Sequence, residues 1–160
     1  MQRAMTRMVL MGVSGSGKTT VGRALSARTG VPYLDGDDLH PPANIAKMAA
    51  GQPLTDADRA PWLEKVAEAL GAVPVIVGCS ALKRRYRDRL RQAGPILFVH
   101  LTGAPEVLAA RMAGRTGHFM PGALLRSQLD ALEPPGPDED AITVDIDQPL
   151  RAIVESIATR

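Results

Sequence analysis

The sequence predicts an α/β fold in which a parallel sheet is covered by helices on both faces. Short apolar runs bounded by glycine or proline recur along the chain, and stretches with helical spacing alternate with them. The first run leads directly into a glycine-rich turn and a further helical stretch. Strand and helix in alternation require right-handed crossovers, which place helices on the two sides of one parallel sheet.

The strands are read at residues 8–11 (MVLM), 31–34 (VPYL), 73–79 (VPVIVGC), 96–101 (ILFVHL) and 141–146 (AITVDI). Between them, Trp62, Leu63, Val66, Ala67 and Leu70 share one helical face, Leu82, Tyr86 and Leu90 a second, and Leu124, Leu125, Leu129 and Leu132 a third. Thr55 stands three residues before Asp58 at the head of the first of these, a capping box with Asp in place of Glu. A final helix carries Leu150, Ile153, Val154 and Ile157. The stretch EPPGPDED at 133–140 reads as a surface loop with no need of a function.

The chain has 160 residues, the size of one domain (1–160), and such a chain buries about 70% of its unfolded surface. With 45% hydrophobic and 22% charged residues it is neither disordered nor fibrous in composition. Aromatic residues make up only 3%, so aliphatic packing dominates the core. One cysteine, Cys79, cannot form an internal disulfide and fits a cytoplasmic protein. The apolar run after the first basic residues is too short for a signal sequence, and no segment has the length of a membrane span. A formal charge of +2 gives no argument for nucleic acid and suits an anionic small molecule equally well.

The stretch GVSGSGKTT contains Gly12, Gly17, Lys18 and Thr19 in the spacing G-x-x-x-x-G-K-[ST]. Glycines let the backbone curl until its N–H groups converge on phosphate oxygens. Lys18 adds a point charge and Thr19 a hydroxyl for Mg²⁺. The motif predicts a P-loop NTPase fold with a nucleotide's phosphates as its ligand. Ser14, Gly15 and Ser16 shape the loop, and Thr20 completes the nucleotide-binding group. No guanine-reading N-K-x-D and no switch-type D-x-x-G is present, which argues against a GTPase. The strands at 73–79 and 96–101 also lack the terminal acid that motor-type ATPases use for Mg²⁺.

The acids follow the second strand instead: Asp35, Asp37 and Asp38 lie at the carboxyl edge, where open parallel sheets bind ligands. Asp35 is assigned with Thr19 to the metal and Asp37 to an acceptor hydroxyl, the competing reading being a turn with helix-capping acids, which suits Asp38 best. Lys83 and Arg87 stand four apart beside a core boundary, a cationic pair suited to a carboxylate or phosphate. Arg84, Arg85, Arg89 and Arg91 read as a solvated helix face. Arg111 and Arg115, again four apart, stand where a helix runs into a glycine-containing lid at about 112–122 that closes over nucleotide. His40 and His118 lie in loops near this site, His100 and Trp62 read as structural, and the histidines have no metal-ligand spacing.

Taken together, GVSGSGKTTVG, DGDDLHPPANIAKMAAGQPLTDADRAPWL, CSALKRRYRDRLR, HLTG, GHFMPGALLRSQLDALEPP and VDIDQPL resemble the small P-loop gluconokinases, relatives of shikimate and nucleoside monophosphate kinases. The resemblance spans nearly the whole chain, and its second and fifth stretches are the specific ones. It implies a five-stranded parallel sheet, Mg-ATP, transfer to the 6-hydroxyl of D-gluconate and a homodimer. It further implies Lys18, Asp37 and Arg115 as catalytic residues, Arg111 at the adenine and Arg59 at a substrate anion. Ser80 and Lys83 fall on the substrate wall, and Lys47, His40, Arg87, His118 and Gln128 complete the implied substrate-binding set. A nucleoside monophosphate kinase would use the same cradle and cations, and only the specific stretches argue against it. A nucleotide-dependent switch is disfavoured by the missing switch motifs.

Overall fold

A computed structural model of the chain describes residues 7–13, 15–113 and 123–159. The elements run β1 (Arg7–Met11), α1 (Lys18–Thr29), β2 (Tyr33–Asp35), a 3₁₀ turn (Gly36–Leu39), α2 (Pro42–Ala49), α3 (Asp56–Ala69), β3 (Val75–Gly78), α4 (Arg84–Arg91), β4 (Leu97–Thr102), α5 (Pro105–Ala113), α6 (Ala123–Ala131), β5 (Ala141–Asp145) and α7 (Leu150–Ala158). The five strands form one sheet in the order β2-β3-β1-β4-β5, and every pairing is parallel. All five predicted strands are therefore present, each shifted at its ends by no more than a few residues.

β1 occupies the centre because its side chains are apolar in both directions. Met8 and Leu10 enter a core with Val21, Leu25, Leu101, Leu108, Ile153 and Ile157, whereas Val9 and Met11 enter a second core with Trp62, Val66, Tyr86, Leu90 and Phe98. Consecutive strand residues point to opposite faces, so these two clusters are the two sides of the sheet. β5 at the edge keeps only Val144 fully buried.

The predicted capping box opens α3. Thr55 Oγ1 accepts from the Asp58 N–H at 3.1 Å, and the Asp58 carboxylate accepts from the Thr55 N–H at 2.8 Å. Other boundaries differ from the sequence reading. α2 starts after Pro41 with Pro42 at its first position, where a missing N–H costs nothing. α4 begins at Arg84, so Leu82 precedes it and Lys83 is its N-cap, in extended conformation rather than on the helix.

The largest correction concerns Arg87, assigned above to substrate. Its side chain is 0% exposed, with Nε and Nη2 donating to Glu139 at 2.7 and 3.0 Å and Nη1 to the Ala81 carbonyl at 2.9 Å. No face of the guanidinium remains for a ligand. The segment 133–140 is correspondingly no idle loop. Glu139 is buried, accepts from the Gly136 N–H at 2.9 Å and is also paired with Arg91. Arg87 holds the Glu139 carboxyl down to about 2, against burial that would raise it. Glu133, in the same segment, caps α4 by accepting from the Arg84 N–H at 2.9 Å and donates its own N–H to the Leu82 carbonyl at 2.7 Å.

Removing one member of a buried ion pair strands the other charge in low dielectric. Glu139→Ala is therefore expected to cost about 3–5 kcal/mol of folding stability, read from urea unfolding, while the paired change Arg87→Met with Glu139→Leu should cost clearly less. A loss below about 1 kcal/mol for Glu139→Ala, the range of a surface ion pair, would refute the buried clamp.

Candidate active site

The turn between β1 and α1 is made by glycines at two positions where nothing else fits. Gly12 has φ of 151°, and a Cβ there would lie 2.6 Å from the Leu101 carbonyl oxygen and 2.8 Å from Ser16 Oγ. Gly17 is the α1 N-cap at φ 89°, a left-handed conformation that opens the helix without a side-chain cap. The first N–H groups of α1 have no partners within the helix and face the loop, where the helix dipole favours an anion. Lys18 Nζ donates to the Gly12 and Val13 carbonyls at 2.9 and 3.2 Å, so its charge lies over the loop. Ser16 Oγ is buried without a hydrogen-bond partner among the described residues. An ammonium, a helix N-terminus and an orphaned hydroxyl around a glycine-shaped hollow fit a chain of phosphates.

Asp35 joins this cradle to the neighbouring turn. Its Oδ2 accepts from Thr19 Oγ1 at 3.0 Å, and its Oδ1 accepts from the Asp37 N–H at 2.9 Å. Asp35 ends β2 opposite Gly78 of β3, at the carboxyl edge of the sheet. A hydroxyl and a carboxylate are the hard oxygen donors that suit Mg²⁺, which keeps several waters and takes its remaining ligands from phosphates. Among the described residues no group of three or more His, Cys, Asp or Glu could hold a metal ion, so any metal here depends on that sparse set. The first residue of the loop is tied to the far wall as well, since the Gly12 N–H donates to the Ser80 carbonyl at 3.3 Å.

Tyr86 organises a group of cations between α3 and α4. Arg59 lies 5.3 Å from the Tyr86 ring centroid and donates from Nη1 to its hydroxyl at 3.0 Å, and Lys83 Nζ is 5.9 Å from the same centroid. Asp56 accepts from the Tyr86 hydroxyl, pairs with Arg85 and lies 3.6 Å from Lys83. The Tyr86 hydrogen bond, more than either cation, lowers the Asp56 carboxyl below its usual range. Lys47 is engaged by Asp58 at 2.6 Å, the contact that chiefly holds Asp58 near 2.

The remaining expectations have mixed placements. His40 is 8% exposed, stacked on Trp62 with centroids 4.3 Å apart and planes at 10°, and its Nδ1 faces the Asn44 amide at 3.2 Å. Burial, and secondarily Arg59, lowers His40 to about 4, so its ring is a neutral packing group. Ser80 and, on α6, Gln128 are partly buried, while Asp38 and Thr20 are exposed. His100 on β4 is buried, as expected for a structural residue. Burial pushes the Cys79 thiol up to about 12, which leaves it inert. Ser14, Arg115 and His118 lie outside the described residues, as do the Arg111 side chain and most of the lid at 112–122.

Three contributors were beyond the reach of sequence reasoning. Trp62 donates Nε1–H to the Gly36 carbonyl at 2.8 Å, and Asn44 bridges His40 to the Asp58 carbonyl at 2.9 Å. Glu139 is the third. The only signal was chemical: a buried indole N–H or carboxylate must find a partner, though the sequence does not say which.

A phosphate cradle after the central strand of a β2-β3-β1-β4-β5 parallel sheet, with an acid pair after the edge strand two positions away, defines a P-loop kinase fold. Residues 8–120 match the family described as AAA domain. The chain is 50% identical to the gluconokinase of Gluconobacter oxydans, with 94% of this chain and 88% of that protein covered. A gluconokinase from Sinorhizobium meliloti superposes with a TM-score of 0.90 at 51% identity, covering 99% of this chain and 92% of that one. An unliganded sugar kinase from a Janibacter species gives 0.91 at 48% identity, covering 96% and 93%. The chain belongs to the gluconokinase family.

Burial also lowers the His100 pKa, with the Arg87 charge adding to the effect. An imidazole that stays neutral in the native state is protonated in the unfolded chain below about 6.5. The unfolded state then binds more protons, so stability falls as pH drops from about 6.5 toward 4. His40→Gln should flatten that fall by up to about 1.4 kcal/mol per pH unit. Urea unfolding between about pH 5 and 6.5 measures it, and an unchanged slope contradicts the buried neutral imidazole.

Proposed function

We propose that the chain transfers the γ-phosphoryl group of ATP to the 6-hydroxyl of D-gluconate, giving 6-phospho-D-gluconate. The observation that carries this reading is the double use of Asp35, whose two oxygens tie the phosphate loop at Thr19 to the acceptor turn at Asp37. A nucleotide-binding site and an acceptor site are thereby held in one rigid frame. The named activity of the gluconokinases to which the chain is 50% and 51% identical supplies the acceptor.

In this assignment the loop backbone from Gly12 to Thr20, with Gly15 and Gly17, holds the phosphates, and Lys18 neutralises the oxygens of the transferring group. Thr19 and Asp35 would hold Mg²⁺, which supplies charge neutralisation at the phosphate oxygens when bound. Asp37 orients the acceptor hydroxyl and takes its proton late, because phosphoryl-transfer transition states are loose and orientation matters more than basicity. Arg59 and Lys83 are assigned to the sugar-acid carboxylate. Ser80, Lys47, His40 and Gln128 shape the surrounding wall, with His40 acting as a neutral surface.

Arg111 and Arg115 are assigned to adenine and phosphate. Arg115 and His118 are assigned to a lid at about 112–122, with Arg111 just before it, that excludes water during transfer. We read the chain as a single kinase domain, 1–160, acting in the cytoplasm as a homodimer and without nucleic acid. Among the described residues no helix is long and apolar enough to cross a membrane.

Offered gluconate, shikimate and AMP in turn with Mg-ATP, the protein should release ADP rapidly only with gluconate. Preferred turnover of either other acceptor overturns the assignment. Asp37→Asn should lower kcat by about 100-fold or more while nucleotide affinity changes little. Titration of an ATP analogue alongside steady-state rates separates the two effects, and unchanged turnover removes Asp37 from the role.

A further inference from the structure

Trp62 lies in the middle of α3 and is 0% exposed, within the core formed by Val9, Val66, Val77 and Phe98. Packing alone explains a large ring at that place, but not a polar one. An indole N–H in an apolar core has to be matched by an acceptor, whereas phenylalanine would fill the space without that requirement. The acceptor it meets is the Gly36 carbonyl, at 2.8 Å, one residue before Asp37.

The segment that carries Asp37 is a single 3₁₀ turn of four residues, Gly36–Leu39. A turn this short has poor internal hydrogen-bond geometry and takes its shape from what grips it. Three attachments do so. The Asp35 carboxylate accepts from the Asp37 N–H at 2.9 Å, the indole holds Gly36, and His40, whose N–H closes the turn on the Asp37 carbonyl at 3.3 Å, stacks flat on the same indole. Gly36 is pressed so closely on β3 that a Cβ would run into the Gly78 carbonyl. Trp62 thus meets both ends of the turn, through its N–H at Gly36 and through its ring face at His40. Asn44 locks the far side of the stack by donating to the Asp58 carbonyl at 2.9 Å while facing His40.

We infer that Trp62 is a positioning residue for phosphoryl transfer: its indole N–H fixes the Gly36 carbonyl and so sets where the Asp37 carboxylate meets the acceptor hydroxyl. The inference rests on the role proposed for Asp37 and extends it into the core. Loss of the N–H removes the contact that ties the Gly36 carbonyl to α3 and frees the turn to shift, and catalysis is sensitive to displacements of an ångström or less.

The test is a double-substitution cycle on the full-length protein with Trp62→Phe, Asp37→Asn and both together. KM for gluconate and Mg-ATP, kcat and urea stability are measured for each. Trp62→Phe should lower kcat on the order of tenfold, with KM for Mg-ATP within about twofold of the parent. In the Asp37→Asn background it should lower kcat no further, because a residue that acts through another has nothing left to act on. Unchanged kcat in Trp62→Phe, or a tenfold loss that persists in full in the Asp37→Asn background, overturns the inference and leaves Asp37 in place. Intact kcat in Asp37→Asn alone overturns the role of Asp37 and this inference with it. If Trp62→Phe does not fold, the same cycle is run with benzothienylalanine at position 62, which keeps the bicyclic shape and lacks only the N–H.

Discussion

A carboxylate has two oxygens, and at Asp35 each serves a different half of the protein. One receives the Thr19 hydroxyl from the helix behind the phosphate loop, and the other receives the amide of Asp37. Charge-assisted hydrogen bonds of this kind are short and directional, so the carboxylate works as a fixed spacer between the two sites. The parallel pairing of Asp35 with Gly78 sets the height of that spacer, and β1, one strand further in, delivers the loop to the same edge. The spacing of the loop and the turn is therefore a consequence of strand register.

The cations around Tyr86 divide into two populations that the sequence does not separate. Arg87 is consumed internally, its fork filled by Glu139 and by the carbonyl of Ala81. By holding that carbonyl it supports the wall between β3 and α4, where Ala81 adopts the left-handed φ of 44°. Arg59 and Lys83 remain at the partly buried boundary, loosely matched by Tyr86 and Asp56. Cations held over an aromatic face keep most of their charge available, whereas a guanidinium in a buried bidentate pair does not. Binding capacity in this cluster thus follows depth, and a difference of four positions along the chain decides it.

The fold was legible wherever its causes are local. The strand runs announce themselves by composition, the phosphate loop by the spacing of Gly12, Gly17, Lys18 and Thr19, and the head of α3 by Thr55 and Asp58. What escaped depends on partners distant in the chain. Arg87 looks like any cation of KRRYRDRLR until Glu139 is folded against it, and Glu139 lies in a proline-rich stretch that shows no periodicity. His40 reads as a loop imidazole because its neutral state comes from burial, which tertiary packing against Trp62 brings about. The prolines at 41 and 42 disguise the start of α2, though proline is favoured in that position.

The strand order carries a consequence for how the chain is born. β1 lies at the middle of the sheet, yet both of its neighbours, β3 and β4, come from far later in the sequence, with Met8 facing Ile76 on one side and Leu97 on the other. During synthesis this apolar strand is made before the other four and waits with both edges bare until those neighbours follow. Nucleation must then span long loops, which slows folding and exposes a sticky edge to aggregation. A nascent chain of this design gains from chaperone cover while only its early segments exist.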